Sequence, residues 1–335
     1  MDSLTHIVLG ACIGEVITGK QLGKKAMLLG AIAQSVPDID AVGSFWMNEA
    51  DDIVAHRSLT HCILFALIAS WLLAWVSHKI FHRNNVAMRK YLLLFAINIF
   101  AHIFIDTFNS YGTELLYPFN DTRFSFNLVF VADPLFTLWP LIAFIWLLLA
   151  KSTYTYRKKI AAYAIAMSTV YAGYAFTNKM NIECAVAYNL KQQHISSEGY
   201  FTTPTILNSW LWYIVIKQDD GYKIGYRSVF DKTDEIAFEE VKRNDSLINE
   251  LTDKADALKL IRFSSGYYTM EKWSDTLLLN VLRFGQTGWQ NPSAKFAFYY
   301  LLNKPEGNQL VIQRGRFKNM NRERISSFIK RVKGI

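Results

Sequence analysis

Long apolar runs separated by short basic connections fill the first half of the chain, and the pattern then changes. Four runs, Leu59–Ser77, Tyr91–Phe108, Leu135–Ala150 and Ile160–Thr177, approach or reach the roughly 17–25 helical residues that cross a hydrocarbon core. Two shorter apolar segments precede them, Ser3–Thr18 and Lys24–Val36, the first interrupted by His6 and Glu15. From about Asn178 the runs shorten and alternate as strands do: Trp210–Lys217, Tyr222–Phe230, Phe296–Leu302 and Gln309–Arg314. Turn signals at Asp219-Asp220-Gly221 and Lys304-Pro305-Glu306-Gly307 separate them. Asp245–Leu260 and Arg322–Val332 have helical spacing. The expected fold is an α-helical membrane domain of about six segments, two of them short, over residues 1–177. An α+β soluble domain follows over residues 178–335.

Charge gives these segments a direction. Of thirteen Lys and Arg in residues 1–177, eleven sit in three connections: Lys20, Lys24 and Lys25; Lys79, Arg83, Arg89 and Lys90; Lys151, Arg157, Lys158 and Lys159. The positive-inside rule makes those connections cytoplasmic. Ten of the eleven acids, all but Glu15, lie at the opposite ends. The expectation is a multi-pass membrane protein with its C-terminal domain outside the cytoplasm. A cleaved signal peptide is not expected, because Asp2 and His6 stand where a basic leader region would be.

Composition narrows the chemistry. The 335 residues are 51% apolar and 19% charged, against about 25% charged in ordinary soluble domains. Three cysteines without CxxC spacing exclude a thiolate zinc ribbon and a disulfide framework. The net charge of +8 looks at first like a nucleic-acid signal, yet eight basic residues and one acid lie between Arg314 and Lys333. The remainder is close to neutral, so nucleic acid is not an expected partner. The basic tail reads as a solvated helix ahead of a contact with anionic lipid.

Four of the seven histidines, His6, His56, His61 and His102, fall at the outer ends of the segments. Asp38 and Asp40 follow Pro37, Asp106 lies one helical turn after His102, and Asp133 opens the fifth segment. Separate segments therefore deliver imidazoles and carboxylates to one membrane face, where ionisable groups are costly and usually functional. Imidazole with carboxylate suits divalent ions, zinc first and manganese or iron as alternatives. The number of donors, His6, Asp38, Asp40, His56, His61, His102, Asp106 and Asp133, points to more than one ion. Asp38 or Asp40 is the candidate general base, and Arg57 the candidate partner for phosphate oxygens.

Four sequence signatures, Met1-Asp-Ser-Leu-Thr-His6, Val36-Pro-Asp38-Ile-Asp40, His56-Arg-Ser-Leu-Thr-His61 and His102-Ile-Phe-Ile-Asp106, occur in an order that resembles the bacterial inner-membrane metal-dependent hydrolases of the YdjM-like group. The resemblance covers roughly residues 1–177. It implies a distant relation to zinc-dependent phospholipase C and P1-type nucleases, and with it phosphoester chemistry at a multi-zinc site. The expected function is hydrolysis of a lipid-borne phosphate ester at the outer membrane face, with membrane lipid as environment and substrate. Two alternatives remain open at this level: a metal-dependent amidase or peptidase, although no HExxH is present, and a metal-binding scaffold or sensor without turnover.

Overall fold

Asp2 starts the first helix, α1 (Ser3–Leu22), by accepting a hydrogen bond from the Thr5 amide at 3.1 Å. Gly23, at φ 58°, then turns the chain into α2 (Lys24–Ser35). The left-handed φ favours glycine there. A computed structural model shows this arrangement; it describes residues 1–274, 276–287, 294–302, 309–312 and 322–335. The helices α1 and α2 cross at glycine. A Cβ on Gly14 would overlap the Ala26 carbonyl oxygen, and one on Gly30 would overlap that of Gly10. Small residues allow such close backbone approach, which supplies packing where lipid removes the hydrophobic drive between helices.

A 3-10 turn, Pro37–Phe45, and a short helix, α3 (Glu49–Ala55), lead to α4 (Ile63–Ile80). Then come α5 (Met88–Asp106), α6 (Pro134–Leu149) and α7 (Arg157–Gln192). Helix α4 buries Ala66, Ala69, Ser70 and Ala74, and Ile99 and Ile103 of α5 share a core with its alanines. Its other side exposes Leu67, Ile68, Trp71 and Trp75, as α6 exposes Ile142, Ile145 and Trp146. In an aqueous protein such surfaces would be a liability, whereas in a membrane they suit contact with lipid. Among the described residues, three helices, α4, α5 and α7, are long and apolar enough to cross a membrane, and α6 is a shorter apolar helix. The expected run Leu59–Ser77 begins as a 3-10 turn at Leu59–His61, not as helix. The run expected to end at Thr177 continues unbroken to Gln192.

Two compact units result: Met1–Val42 with Ala55–Ala175, and Gly43–Val54 with Phe176–Ile335. The first holds a buried ion pair. Arg157 grips Glu15 with two bonds of 2.9 Å and gives a third, of 2.7 Å, to the Leu147 carbonyl. This explains why Glu15 alone breaks the charge segregation of the sequence.

The second unit contains two antiparallel meanders. One is β1 (Gly199–Pro204), β2 (Leu211–Gln218), β3 (Gly221–Ser228) and β4 (Phe238–Lys242), in that order. Helix α8 (Ala255–Phe263) precedes the other, β5 (Tyr268–Trp273), β6 (Thr276–Val281), β7 (Phe298–Leu302) and β8 (Gln309–Ile312), again in order. A last helix, α9 (Arg322–Val332), follows. Trp212, Ile214 and Ile216 of β2 pack with Ile182 and Val186 of α7. Leu211, Tyr213 and Val215 face a different core with Tyr222, Ile224 and Leu282. Side chains alternate faces along a strand, so β2 is buried on both sides. Trp212 and Tyr213 are buried in these cores, whereas Trp273 is 60% exposed. The expected helix Asp245–Leu260 is split into a 3-10 turn, Asp245–Glu250, and α8. The turn at 304–307 and the basic residues Arg314, Arg316 and Lys318 lie outside the described residues.

Candidate metal centre

Asp38 and Asp40 sit on the first turn after α2 because Pro37 supplies a fixed φ where an amide donor is not needed. The segment Ala55–Cys62 then folds back onto Asp40. Its Oδ2 accepts from the Arg57 amide and the Thr60 hydroxyl, each at 2.9 Å. Arg57 adopts φ 66° to make this reversal, a left-handed conformation rare for a long side chain. His102 and Asp106 come from consecutive turns of α5, as their spacing predicts, and both are fully buried.

Four side chains converge: Asp38, His61, His102 and Asp106. The Nε2 atoms of His61 and His102 are 3.2 Å apart. Each is 3.5 Å from Asp38 Oδ1 and 3.5 Å from Asp106 Oδ2. With the two carboxylate oxygens no more than 4.8 Å apart, these distances enclose a point at close to the bond length of zinc to imidazole nitrogen and carboxylate oxygen, roughly 2.0–2.2 Å. The partners of the other ring nitrogens fix the tautomers. His102 Nδ1 donates to the Gln34 carbonyl at 2.5 Å, and His61 Nδ1 faces Asp40 Oδ2 at 3.3 Å and Thr60 Oγ1 at 3.0 Å. Both Nε2 atoms therefore present lone pairs to two carboxylate oxygens. Asp106 Oδ2 is buried without a hydrogen-bond partner among the described residues. Four acceptors facing one another need a cation between them, so the donor set fits a divalent ion.

A second group, Asp38, Asp40 and His56, adjoins the first and shares Asp38. His56 Nδ1 lies 3.0 Å from Asp40 Oδ1. Burial opposes ionisation of Asp40, but the donors of His56 and His61 outweigh it and hold its carboxyl well below the usual aspartate range. Arg57 is buried. Burial pulls its guanidinium down to about 10, with the Tyr111 ring and Asp38 acting against the drop, so it remains a cation at neutral pH. His6 belongs to neither group. It stacks on His102 with ring centres 3.8 Å apart, and its Nε2 is 3.3 Å from Asp106 Oδ1. The Met1 amino nitrogen contacts the same oxygen.

Asp133, expected as a ligand, is placed elsewhere. It caps α6, with Oδ1 accepting from the Leu135 and Phe136 amides at 2.9 and 3.2 Å and Oδ2 from the Tyr171 hydroxyl at 2.8 Å. Its Asp-Pro sequence already allowed that role.

Two residues at the centre escape a search for ligand types. Gln34 takes the His102 Nδ1 proton on its backbone carbonyl and holds His6 Nδ1 through Oε1 at 3.1 Å. Its signal was a lone amide one turn beyond Gly30 on an apolar helix. Asn109 accepts from Arg57 Nη1 at 3.0 Å and from the Tyr111 amide at 2.9 Å. Nothing in its sequence context marks it.

The profile of the YdjM inner membrane protein family matches residues 1–182, and the chain belongs to that family. It is 28% identical over 141 residues to the uncharacterized protein YfhP of Bacillus subtilis, a match over 40% of this chain and 42% of the relative. It is 25% identical over 123 residues to the inner membrane protein YbcI of Escherichia coli, a match over 36% of this chain and 69% of that protein. Against the Bacillus protein the match thus spans less than half of the relative's length. No solved structure matches the chain.

Proposed function

We propose that this member of the YdjM family is a membrane hydrolase that cleaves a phosphate ester with water at a divalent metal centre, zinc in first place. The observation that carries the reading is the convergence of Asp38, His61, His102 and Asp106. When bound there, a zinc ion polarises a phosphoryl oxygen and lowers the pKa of water enough to supply a nucleophile at neutral pH.

The protein's own groups do the rest. Gln34 and Asp40 orient the two imidazoles through their Nδ1 atoms, a second layer of contacts that commonly sustains affinity. Asp40 accepts from His56 Nδ1 at 3.0 Å and so leaves the other ring nitrogen of this one-third exposed imidazole to take up the proton released from water. Arg57, beside Asp106 at 3.4 Å, balances the phosphoryl charge. Asp38, Asp40 and His56 could instead hold a second ion. Two zinc ions per chain by elemental analysis would replace the proton-transfer role with ligation.

The substrate class we assign is a lipid-borne phosphate, because the site lies at the ends of apolar helices of spanning length. Charge segregation orients that end outward, with the C-terminal unit outside the cytoplasm; reporter fusions after residues 85, 155 and 180 test the orientation. The chemistry is tested by phosphate release from phospholipid, polyprenyl phosphate and simple phosphodiesters, using detergent-purified protein with and without zinc. Turnover that chelator abolishes, zinc restores and His102→Ala lacks is the expected result. Equal activity in His102→Ala removes the site from the reaction. Bound zinc with no turnover on any substrate favours the scaffold or sensor reading.

A further inference from the structure

Beside the four converging side chains, Asn109 Nδ2 and Arg57 Nε are buried nitrogen donors without a hydrogen bond among the described residues, as is Gln34 Nε2. Asn109 Oδ1 accepts both from Arg57 Nη1 and from the Tyr111 amide. That fixes the amide orientation, since a flip would turn its NH2 toward two donors. Its Nδ2 then has no hydrogen-bond partner among the described residues, although the side chain is buried. Arg57 Nε is also buried without a hydrogen bond among the described residues, its contact with Asp106 Oδ2 at 3.4 Å being an ion pair only.

Neither group can swing away. The Arg57 amide is tied to Asp40, its carbonyl accepts from the Glu114 amide at 3.0 Å, and its guanidinium lies over the Tyr111 ring at 5.1 Å. The Ser125 hydroxyl holds the Asn109 carbonyl at 2.6 Å. Buried donors are normally satisfied, and two adjoining exceptions on locked side chains beside a metal centre mark a place for an acceptor from outside the chain. A neutral amide N–H and a guanidinium N–H together suit an anionic oxygen.

We infer that Arg57 Nε and Asn109 Nδ2 form an oxyanion subsite that takes one oxygen of a tetrahedral phosphoryl group, Asn109 being a specificity residue as well as the anchor of Arg57. The inference rests on the phosphate-ester reading and supplies its missing recognition element. The ligand chemistry is shared by a lipid phosphomonoester and free phosphate, so both serve as probes.

The test is titration calorimetry of the zinc-loaded full chain in detergent with inorganic phosphate and, separately, with short-chain phosphatidic acid; zinc content is measured in every sample. Asn109→Asp keeps the acceptor for Arg57 and Tyr111 but removes the Nδ2 donor and adds negative charge. It should weaken phosphate binding at least about tenfold, the scale of one lost hydrogen bond to a charged group, with zinc content unchanged. Arg57→Lys keeps the charge without the Nε donor, should show the same loss, and decides the matter if Asn109→Asp fails to fold. Phosphatidic acid affected more than phosphate assigns the subsite to lipid head groups; equal effects assign it to the phosphoryl group alone. Either pattern supports the subsite. Phosphate binding equal to wild type in a zinc-loaded variant overturns it while leaving the hydrolase reading intact. Zinc-loaded wild type that binds phosphate through these donors but cleaves no ester overturns the hydrolase reading and leaves the subsite.

Discussion

Replacing Gly10 with alanine probes how tightly the helix crossing governs the candidate metal centre. An added Cβ would stand 2.5 Å from both Gln34 Cγ and the Gly30 carbonyl oxygen. Ordinary contacts of a Cβ begin near 3.4 Å, so α1 and α2 must separate locally by about 0.9 Å. Gln34 is fully buried and cannot yield. Overpacking of this kind costs about 1–3 kcal/mol. The chemical effect should be larger, because Gln34 sets His102 through its carbonyl and His6 through its amide. A shift of about 1 Å at a reacting group can cost around a hundredfold in rate. Zinc affinity, melting temperature in detergent and phosphate release are measured together. Gly173→Ala is the control: it lies within α7, and the space its methyl would enter is open to 4 Å. It should be neutral, or more stable by up to about 1 kcal/mol from helix propensity. A Gly10→Ala protein with wild-type zinc affinity and melting temperature would refute the argument that this crossing positions the centre.

Other outcomes follow from single contacts. Asp133→Ala should lose about 0.5–2 kcal/mol with the cap of α6 and keep its zinc, as measured by melting and elemental analysis; loss of zinc would restore Asp133 as a ligand. Arg157→Met strands Glu15 in the interior and should cost about 3–5 kcal/mol, most of it recovered on adding Glu15→Leu. Asp40→Asn should be less stable than wild type at neutral pH. The depressed carboxyl of Asp40 contributes fully above the unfolded value of about 3.9 and fades as pH falls through the folded one, so the gap should close in acid denaturation curves.

The converging cluster was legible in the sequence where it depends on residue type and spacing. His102 and Asp106 needed only helical periodicity, and the Asp38–Asp40 and His56–His61 clusters needed only their position at segment ends. Gln34 was hidden because its main service is a backbone carbonyl, which every residue has. Asn109 was hidden because its role comes from what its neighbours leave unbonded. Hydropathy ended α7 at Thr177, yet Ile182, Val186 and Leu190 continue a four-residue stripe that packs on the first sheet. That part of the helix is amphipathic, so its burial depends on strands which a window of mean hydropathy does not see. Ligand type likewise said nothing about Asp133, whose two oxygens serve local caps and Tyr171.

The second unit gathers Gly43–Val54 together with residues more than a hundred positions later. Asp51 pairs with Lys259 at 2.6 Å. A ribosome therefore delivers this segment long before the strands and helices it packs with exist. During synthesis it waits as a tethered loop, with Asp40 just behind it and His56 just ahead along the chain. A shortened chain that starts at Phe176 would leave the loop out, and adding Gly43–Val54 as a separate peptide is the way to ask whether the late half can complete itself without being born attached.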